Sequence, residues 1–217
     1  MADGAPVIVV GAGGHGAVVA DALLASGRSV LGFTDADASR HGRVLCGCRV
    51  LGFDNVLDGY ARDAVELANG IGGTGSPANA TLRRRVQQRF ERFGWRFASV
   101  RHPDTTLSAH ASLDAGVQLL AGSRVQAGAR VGMGCIINTA AIVEHDVELG
   151  DFTHVASGAV LCGGVRVGAG CHIGAGAIVR QGVRIGNNVV VGAGAVVLDD
   201  FGDGGVLIGV PARERKG

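Results

Sequence analysis

Val167-Gly168-Ala169-Gly170-Cys171-His172-Ile173-Gly174-Ala175-Gly176-Ala177-Ile178-Val179 places an aliphatic residue at every sixth position. The same beat extends in both directions. Leu, Val or Ile recurs at six-residue steps from Leu107 to Val197, sixteen positions without a break in register. Four residues after each aliphatic comes Ala, Val, Ser, Thr or Cys, from Ala111 and Val117 through Ala177 to Ala195; only Phe201 departs. A period of six fits neither an amphipathic helix nor an alternating strand. It fits a solenoid of short strands and turns, three hexads or 18 residues to a triangular coil, with the aliphatic pointing inward and the small residue filling a corner. Interspersed glycines supply turn conformations closed to residues with a Cβ. Successive coils pair in parallel at about 4.8 Å and so satisfy the backbone. Residues 107–202 make a little over five such coils.

Composition agrees. Glycine supplies 38 of 217 residues, against a usual ~7%. With only 4 prolines a collagen-like chain is excluded, and 47% hydrophobic against 18% charged residues excludes disorder. Aromatics make up 4%, so the core is built from small aliphatics. Twenty basic and 19 acidic residues leave a net charge of +1, which gives no field to draw nucleic acid or membrane. Glycines interrupt every apolar run before it reaches membrane-spanning length. The start Met1-Ala2-Asp3-Gly4-Ala5 lacks the positive charge of a signal peptide, and five cysteines without regular spacing suit reduced thiols, so a cytoplasmic location is expected.

The segment before the repeat reads differently. Pro6-Val7-Ile8-Val9-Val10 predicts a buried strand, followed by Gly11-Ala12-Gly13-Gly14-His15-Gly16 and a helical run from Ala17 to Ala25 closed by Gly27. Val30 to Thr34 predicts a second strand, ending at Asp35. This is a G-x-G-x-x-G loop between strand and helix with an acid about twenty residues on, a pattern that lets backbone and helix N-terminus approach a phosphate. A third strand surrounds Val65-Glu66-Leu67-Ala68. Ser76-Pro77 predicts a helix start and Gly94 its end, with Leu82, Val86, Phe90 and Phe93 as the buried stripe and Arg83, Arg84, Arg85, Arg89 and Arg92 as the solvated face. Three strands make half of a dinucleotide fold, which suits a nucleoside diphosphate better than NAD. Arg101-His102-Pro103 marks the boundary.

Together these segments resemble the hexapeptide-repeat sugar acyltransferases typified by the sialic acid O-acetyltransferases and the N-acetyltransferases of nucleotide-linked 4-amino sugars. The matching residues are Gly11 to Gly16, His102-Pro103, Asn138-Thr139-Ala140-Ala141-Ile142-Val143-Glu144-His145-Asp146, Phe152-Thr153-His154-Val155 and Gly209-Val210-Pro211-Ala212. Where many aminosugar members carry Gly-Asn-Asn or Gly-Asp-Asn, this chain has Asn69-Gly70-Ile71-Gly72-Gly73-Thr74-Gly75. The resemblance implies an α/β, half-Rossmann-like sugar-nucleotide domain over 1–103. After it comes a left-handed parallel β-helix over 104–217, which binds acyl-CoA, carries catalysis and ends in a C-terminal cap. It implies transfer of acetyl from acetyl-CoA to the amine of a UDP- or dTDP-linked 4-amino-4-deoxy sugar for a surface glycan, in a homotrimer with active sites between subunits and without a metal.

Acyl transfer needs a base, a donor for the developing oxyanion and a groove for the thiol carrier. His145 falls at the third hexad position, outside the prism, between Glu144 and Asp146. By resemblance it is the base and Asp146 its supporting acid; His154 and the N–H of Gly163 meet acetyl-CoA. Gly11, Gly13, Gly14, His15, Asp35 and Asn138 face the sugar nucleotide. His154 and His172, 18 residues apart, are expected to stack in successive coils. Cys135 and Cys171 are expected in the core, Cys162 outside that ladder, and Cys46-Gly47-Cys48 is too short for a zinc site. O-acetylation of a sugar hydroxyl, as on a sialic acid, is the alternative reading of the same scaffold. More distant are a γ-class carbonic anhydrase, for which Gly150 stands where a third histidine is needed beside His110 and His145, and a non-catalytic scaffold.

Overall fold

The structure is a computed structural model that describes residues 4–73 and 77–215. The chain divides into two compact units, Met1–Gly72 with Leu82–Pro103, and Gly73–Thr81 with Asp104–Gly217.

In the first unit, β1 (Val7–Val10) is fully buried and leads through the glycine loop into α1 (Gly14–Ala25). Then follow β2 (Val30–Thr34), a hairpin of β3 (Val44–Leu45) and β4 (Cys48–Gly52), and β5 (Glu66–Asn69). The strand order β3-β4-β2-β1-β5 is parallel from β4 to β5. The sheet thus has four parallel strands rather than the three expected, because β4 follows the hairpin turn at Cys46-Gly47, where both residues have positive φ. Those two residues are turn chemistry, and among the described residues no group of three or more His, Cys, Asp or Glu side chains could hold a metal ion.

Helix α2 (Pro77–Arg92) is present, but its buried stripe differs from the expected one. Arg83 (1% exposed), Gln87 and Phe90 face inward, while Leu82 and Phe93 are exposed. The Asn69 side-chain amide donates to the Arg83 carbonyl at 3.1 Å, which fixes the helix rotation at the end of β5. Arg85, Arg89 and Arg92 are exposed, so the solvated face excludes only Arg83 and part of Arg84. Ser76, the expected cap, lies outside the described residues.

The second unit is a left-handed parallel β-helix. Two-residue strands stack at 18-residue steps into three faces. The first runs from Thr106–Leu107 to Val196–Val197, the second from Ser112–Leu113 to Arg184–Ile185, and the third from Gln118–Leu119 to Val190–Val191. In each strand the second residue points inward. Val125, Val143, Leu161, Ile173, Val179 and Val191 are wholly buried. Apart from the partly buried Ala111, the small residues of the corner ladder from Val117 to Ala195 are buried too, and its polar members other than Ser123 form hydrogen bonds there. Cys135 and Cys171 donate S–H to the carbonyls of Gly150 and Gly186, and Thr153 donates O–H to that of Gly168 at 2.7 Å. Val206–Ile208 and the antiparallel Arg213–Glu214 cap the last coil, adding Leu207 and Ala212 to the core.

One hexad position, the fourth, turns the corners from Gly116 to Gly194 with a left-handed backbone, and in most coils it is glycine. Besides Asn188 at φ 56°, three consecutive corners break this rule, Ala140, Asp146 and Phe152, at φ 55, 59 and 57°. They span a single coil. Non-glycine residues held in this region are costly and gather at functional sites.

Candidate active site

That coil holds His145 and Asp146, the residues expected to act as base and supporting acid. His145 lies on the corner between the first and second faces, its side chain 57% exposed. The next residue, Asp146, is one of the left-handed three, and its backbone turns its carboxylate back on the imidazole. Nδ1–H of His145 donates to Oδ2 of Asp146 at 2.9 Å. Asp146 has room because the residue one coil below is Gly128, where a Cβ would meet the carboxylate. With Nδ1 committed to the acid, Nε2 is left as the proton-accepting nitrogen.

Nε2 lies over Gly163, one coil above. A Cβ on Gly163 would fall on the imidazole, so only glycine admits the ring this close. The solenoid ladder does not use the N–H at the third position of a hexad. Side chains of the neighbouring coil cap several such groups: Asp151 accepts from Met133 (3.0 Å), Asn187 from Ala169 (2.9 Å) and Asp203 from Asn187 (2.7 Å). No acceptor among the described residues takes the N–H of Gly163. An imidazole nitrogen and an uncommitted backbone donor therefore share one corner.

Asn138 and His154 lie elsewhere on the prism. His154 is on the third face, 5% exposed, and Asn138 follows the strand below it. The two are joined, Asn138 Nδ2 to His154 Nε2 at 3.0 Å. His172 stacks on His154 from the next coil, ring centroids 5.0 Å apart at 80°. They head a trough of about 480 Å³ floored by Ala156, Ser157, Gly174, Ala175, Gly192 and Ala193. The whole second face, built on Glu148–Leu149, separates His145 from His154 within the chain. A larger groove of about 620 Å³ runs along that second face beside Arg130, Glu148, Arg166 and Arg184. It contains no imidazole, and Arg166 pairs with Glu148 at 3.7 Å.

In the first unit, Gly11 has φ 103° and its loop approaches Gly70 closely; a Cβ on Gly16 would collide with the Gly11 carbonyl. The glycines thus let the first turn of α1 pack directly on the strand end. His15 lies beside Gly72, across the crevice between the ends of β1 and β5. This is the switch point of the strand order, where open parallel sheets bind ligands. Asp35 is more heavily engaged than its motif position suggests. Its carboxylate accepts from Ala12 N–H (2.7 Å), Asp37 N–H (2.8 Å) and Arg40 (3.0 Å). Burial pushes its pKa up, but these donors outweigh it and hold the carboxyl below the usual carboxylate range. The signal for Arg40 and for the hairpin was absent from the G-x-G-x-x-G pattern, which specifies only loop and acid.

Two families match parts of the chain: the PglD N-terminal domain over residues 6–90, and the bacterial transferase hexapeptide (six repeats) over 164–199. Among solved structures, the acetyltransferase domain of PglB from Neisseria gonorrhoeae FA1090 in complex with acetyl coenzyme A is 34% identical. The match covers 98% of this chain and 100% of that one, with a TM-score of 0.88. The chain belongs to the hexapeptide-repeat nucleotide-aminosugar N-acetyltransferase family. Another member, PerB from Caulobacter crescentus in complex with CoA and GDP-perosamine, is also 34% identical over 97% of both chains, with a TM-score of 0.88. Forms of the Caulobacter enzyme with one histidine replaced by asparagine or alanine have been solved with the same two ligands. WeeI from Acinetobacter baumannii AYE, 24% identical over 98% of this chain and 100% of that one, shares the fold with a TM-score of 0.83. No curated protein matches the chain. No described helix is long and apolar enough to cross a membrane.

Proposed function

We propose that the protein transfers acetyl from acetyl-CoA to the amine of a nucleotide-linked 4-amino-4-deoxy sugar, with His145 as general base. The observation that carries this is the corner where His145 Nε2, backed by Asp146, lies over the Gly163 N–H. The amine nitrogen attacks the thioester carbonyl and gives its proton to Nε2, while Asp146 stabilises the imidazolium that forms. The Gly163 N–H donates to the developing oxyanion. Collapse expels the CoA thiolate, which takes the proton from His145. The acetamido sugar leaves.

The acyl donor arm suits the trough beside Asn138 and His154, whose floor of small, uncharged residues admits a narrow chain. A full face separates this trough from the His145 corner, so one chain does not complete the site. Two copies do. The first face presents Ile142, Val160, Ile178 and Val196 in one outward column, with Ile178 exposed, and such an apolar ladder needs a cover. A homotrimer of prisms, joined along this face, sets the His145 corner of one protomer against the third face of its neighbour.

The sugar nucleotide belongs to the crevice beside Gly11, Gly13, Gly14 and His15. The Caulobacter perosamine N-acetyltransferase supports the amine reading, and the GDP-perosamine bound to PerB adds GDP to the UDP and dTDP sugars that the resemblance suggested. Incubation with acetyl-CoA and a panel of amino- and hydroxy-sugar nucleotides tests it, with thiol release and product mass as readouts. One added acetyl group on an amino sugar is expected. Acetylation of hydroxy sugars alone would replace this reading with O-transfer, and no thiol release with any acceptor would overturn it.

A further inference from the structure

Asn138 has its orientation set from both sides. Its Oδ1 accepts the backbone N–H of Thr139 at 2.8 Å, and a flipped amide would set two donors against each other there. The nitrogen therefore faces His154, and an amide nitrogen only donates. Nε2 of His154, at 3.0 Å, must accept, so the ring proton sits on Nδ1. Nδ1 lies beside Gly73, where a Cβ would run into it. The ring itself is buried, and His172 packs edge-to-face against it.

We propose that His172 is a positioning residue: its ring, packed across that of His154, keeps His154 in the plane in which Nε2 meets Asn138, and so fixes the second Asn138 amide proton as a donor into the trough. The oxygen it meets belongs to an amide or thioester carbonyl of the acyl donor arm. This rests on the reading of the trough as the acyl donor's seat. The alternative role of a surface histidine, a solvated strand position, does not require a ring at all. The fold asks only for a side chain that a parallel strand tolerates at position 172, since His172 pairs on one side with His154 and on the other with Val190.

Two variants separate ring from mere volume. His172→Phe keeps an aromatic edge, and His172→Leu keeps bulk without one; both suit a strand, so the coils stack. Histidine-selective ¹⁵N spectra read the His154 tautomer without any substrate. The wild type and His172→Phe should show Nδ1 protonated and Nε2 bare. In His172→Leu that signature should be lost or averaged. Kinetically, His172→Leu should raise KM for acetyl-CoA about three- to tenfold, the loss of one neutral hydrogen bond, with KM for the amino sugar unchanged, and His172→Phe should restore it. As a further check on the lock, Asn138→Asp replaces the donor with an acceptor and should move the proton to Nε2. A wild-type His154 protonated at Nε2, or a His172→Leu protein with unaltered tautomer and KM, would overturn the proposal. The spectra stand apart from turnover, so a protein that shows the tautomer lock yet transfers no acetyl group would refute the acyltransferase reading and the trough's assigned ligand, leaving the geometry intact.

Discussion

At the scale of single residues, the site depends on who occupies a position that the solenoid normally reserves for glycine. Asp146 tolerates a left-handed backbone there because that conformation aims its carboxylate at His145. His145→Ala should lower turnover by roughly 10²–10⁴-fold without changing the far-ultraviolet spectrum; unchanged turnover would reject it as the base. Gly163→Ala should also impair turnover while sparing the fold, because the methyl group displaces the imidazole. Thiol reactivity tests the register independently. Burial pushes the Cys171 thiol up to about 11, whereas Cys46 is exposed at a hairpin tip. A thiol reagent at pH 8 should label Cys46 and leave Cys171 unmodified until the protein unfolds, and prompt labelling of Cys171 would mean that the coil is misregistered. Asp35 gives a pH dependence. Its folded pKa is depressed, so its stabilising contribution is present above the ordinary carboxylate value of ~3.9 and fades as pH falls through the folded value. The stability difference between the wild type and Asp35→Asn should therefore shrink in acid.

At the scale of elements, the hexads were legible in the sequence because one inward residue per strand leaves no freedom in register. Leu161, wholly buried, should lose about 2–5 kcal/mol on replacement by alanine, measured by denaturant unfolding. The cap came from the resemblance, and its form was not legible: Phe201 breaks the small-residue ladder because the chain leaves the 18-residue coil there, pairing with Ile185 before Val206–Ile208. Helix α2 was misread for a different reason. An apolar stripe at Leu82, Val86, Phe90 and Phe93 is a sound expectation from hydropathy alone, yet a hydrogen bond from the Asn69 side-chain amide to the Arg83 carbonyl and an inward arginine decide the rotation. The missing strand β4 was hidden because its fully buried positions, Val50 and Gly52, are separated by the apolar Leu51, so hydropathy does not alternate along Cys48-Arg49-Val50-Leu51-Gly52. For the site, the spacing placed His154 and His172 on one face, and they do pair across adjacent rungs. The Asn138–His154 bond was beyond reach, because it joins positions 16 apart that no periodicity links.

At the scale of the whole molecule, what matters is that the imidazole and the trough occupy different parts of one prism. The proposed trimer gives the apolar column on the first face, of which Ile178 is exposed, a role: it is the face that would hold the neighbour. Ile178→Asp should yield a folded protein of monomer mass that transfers no acetyl group, by light scattering and assay. The most direct test is complementation. A His145→Ala chain and an Asn138→Ala/His154→Ala chain, each inactive alone, are unfolded, mixed in equal amounts and refolded together. If each site draws its base from one protomer and its trough from the next, about one site in four is intact in random trimers, and activity should return to about that fraction of the wild type. A mixture no more active than its two parents would contradict a site shared between chains.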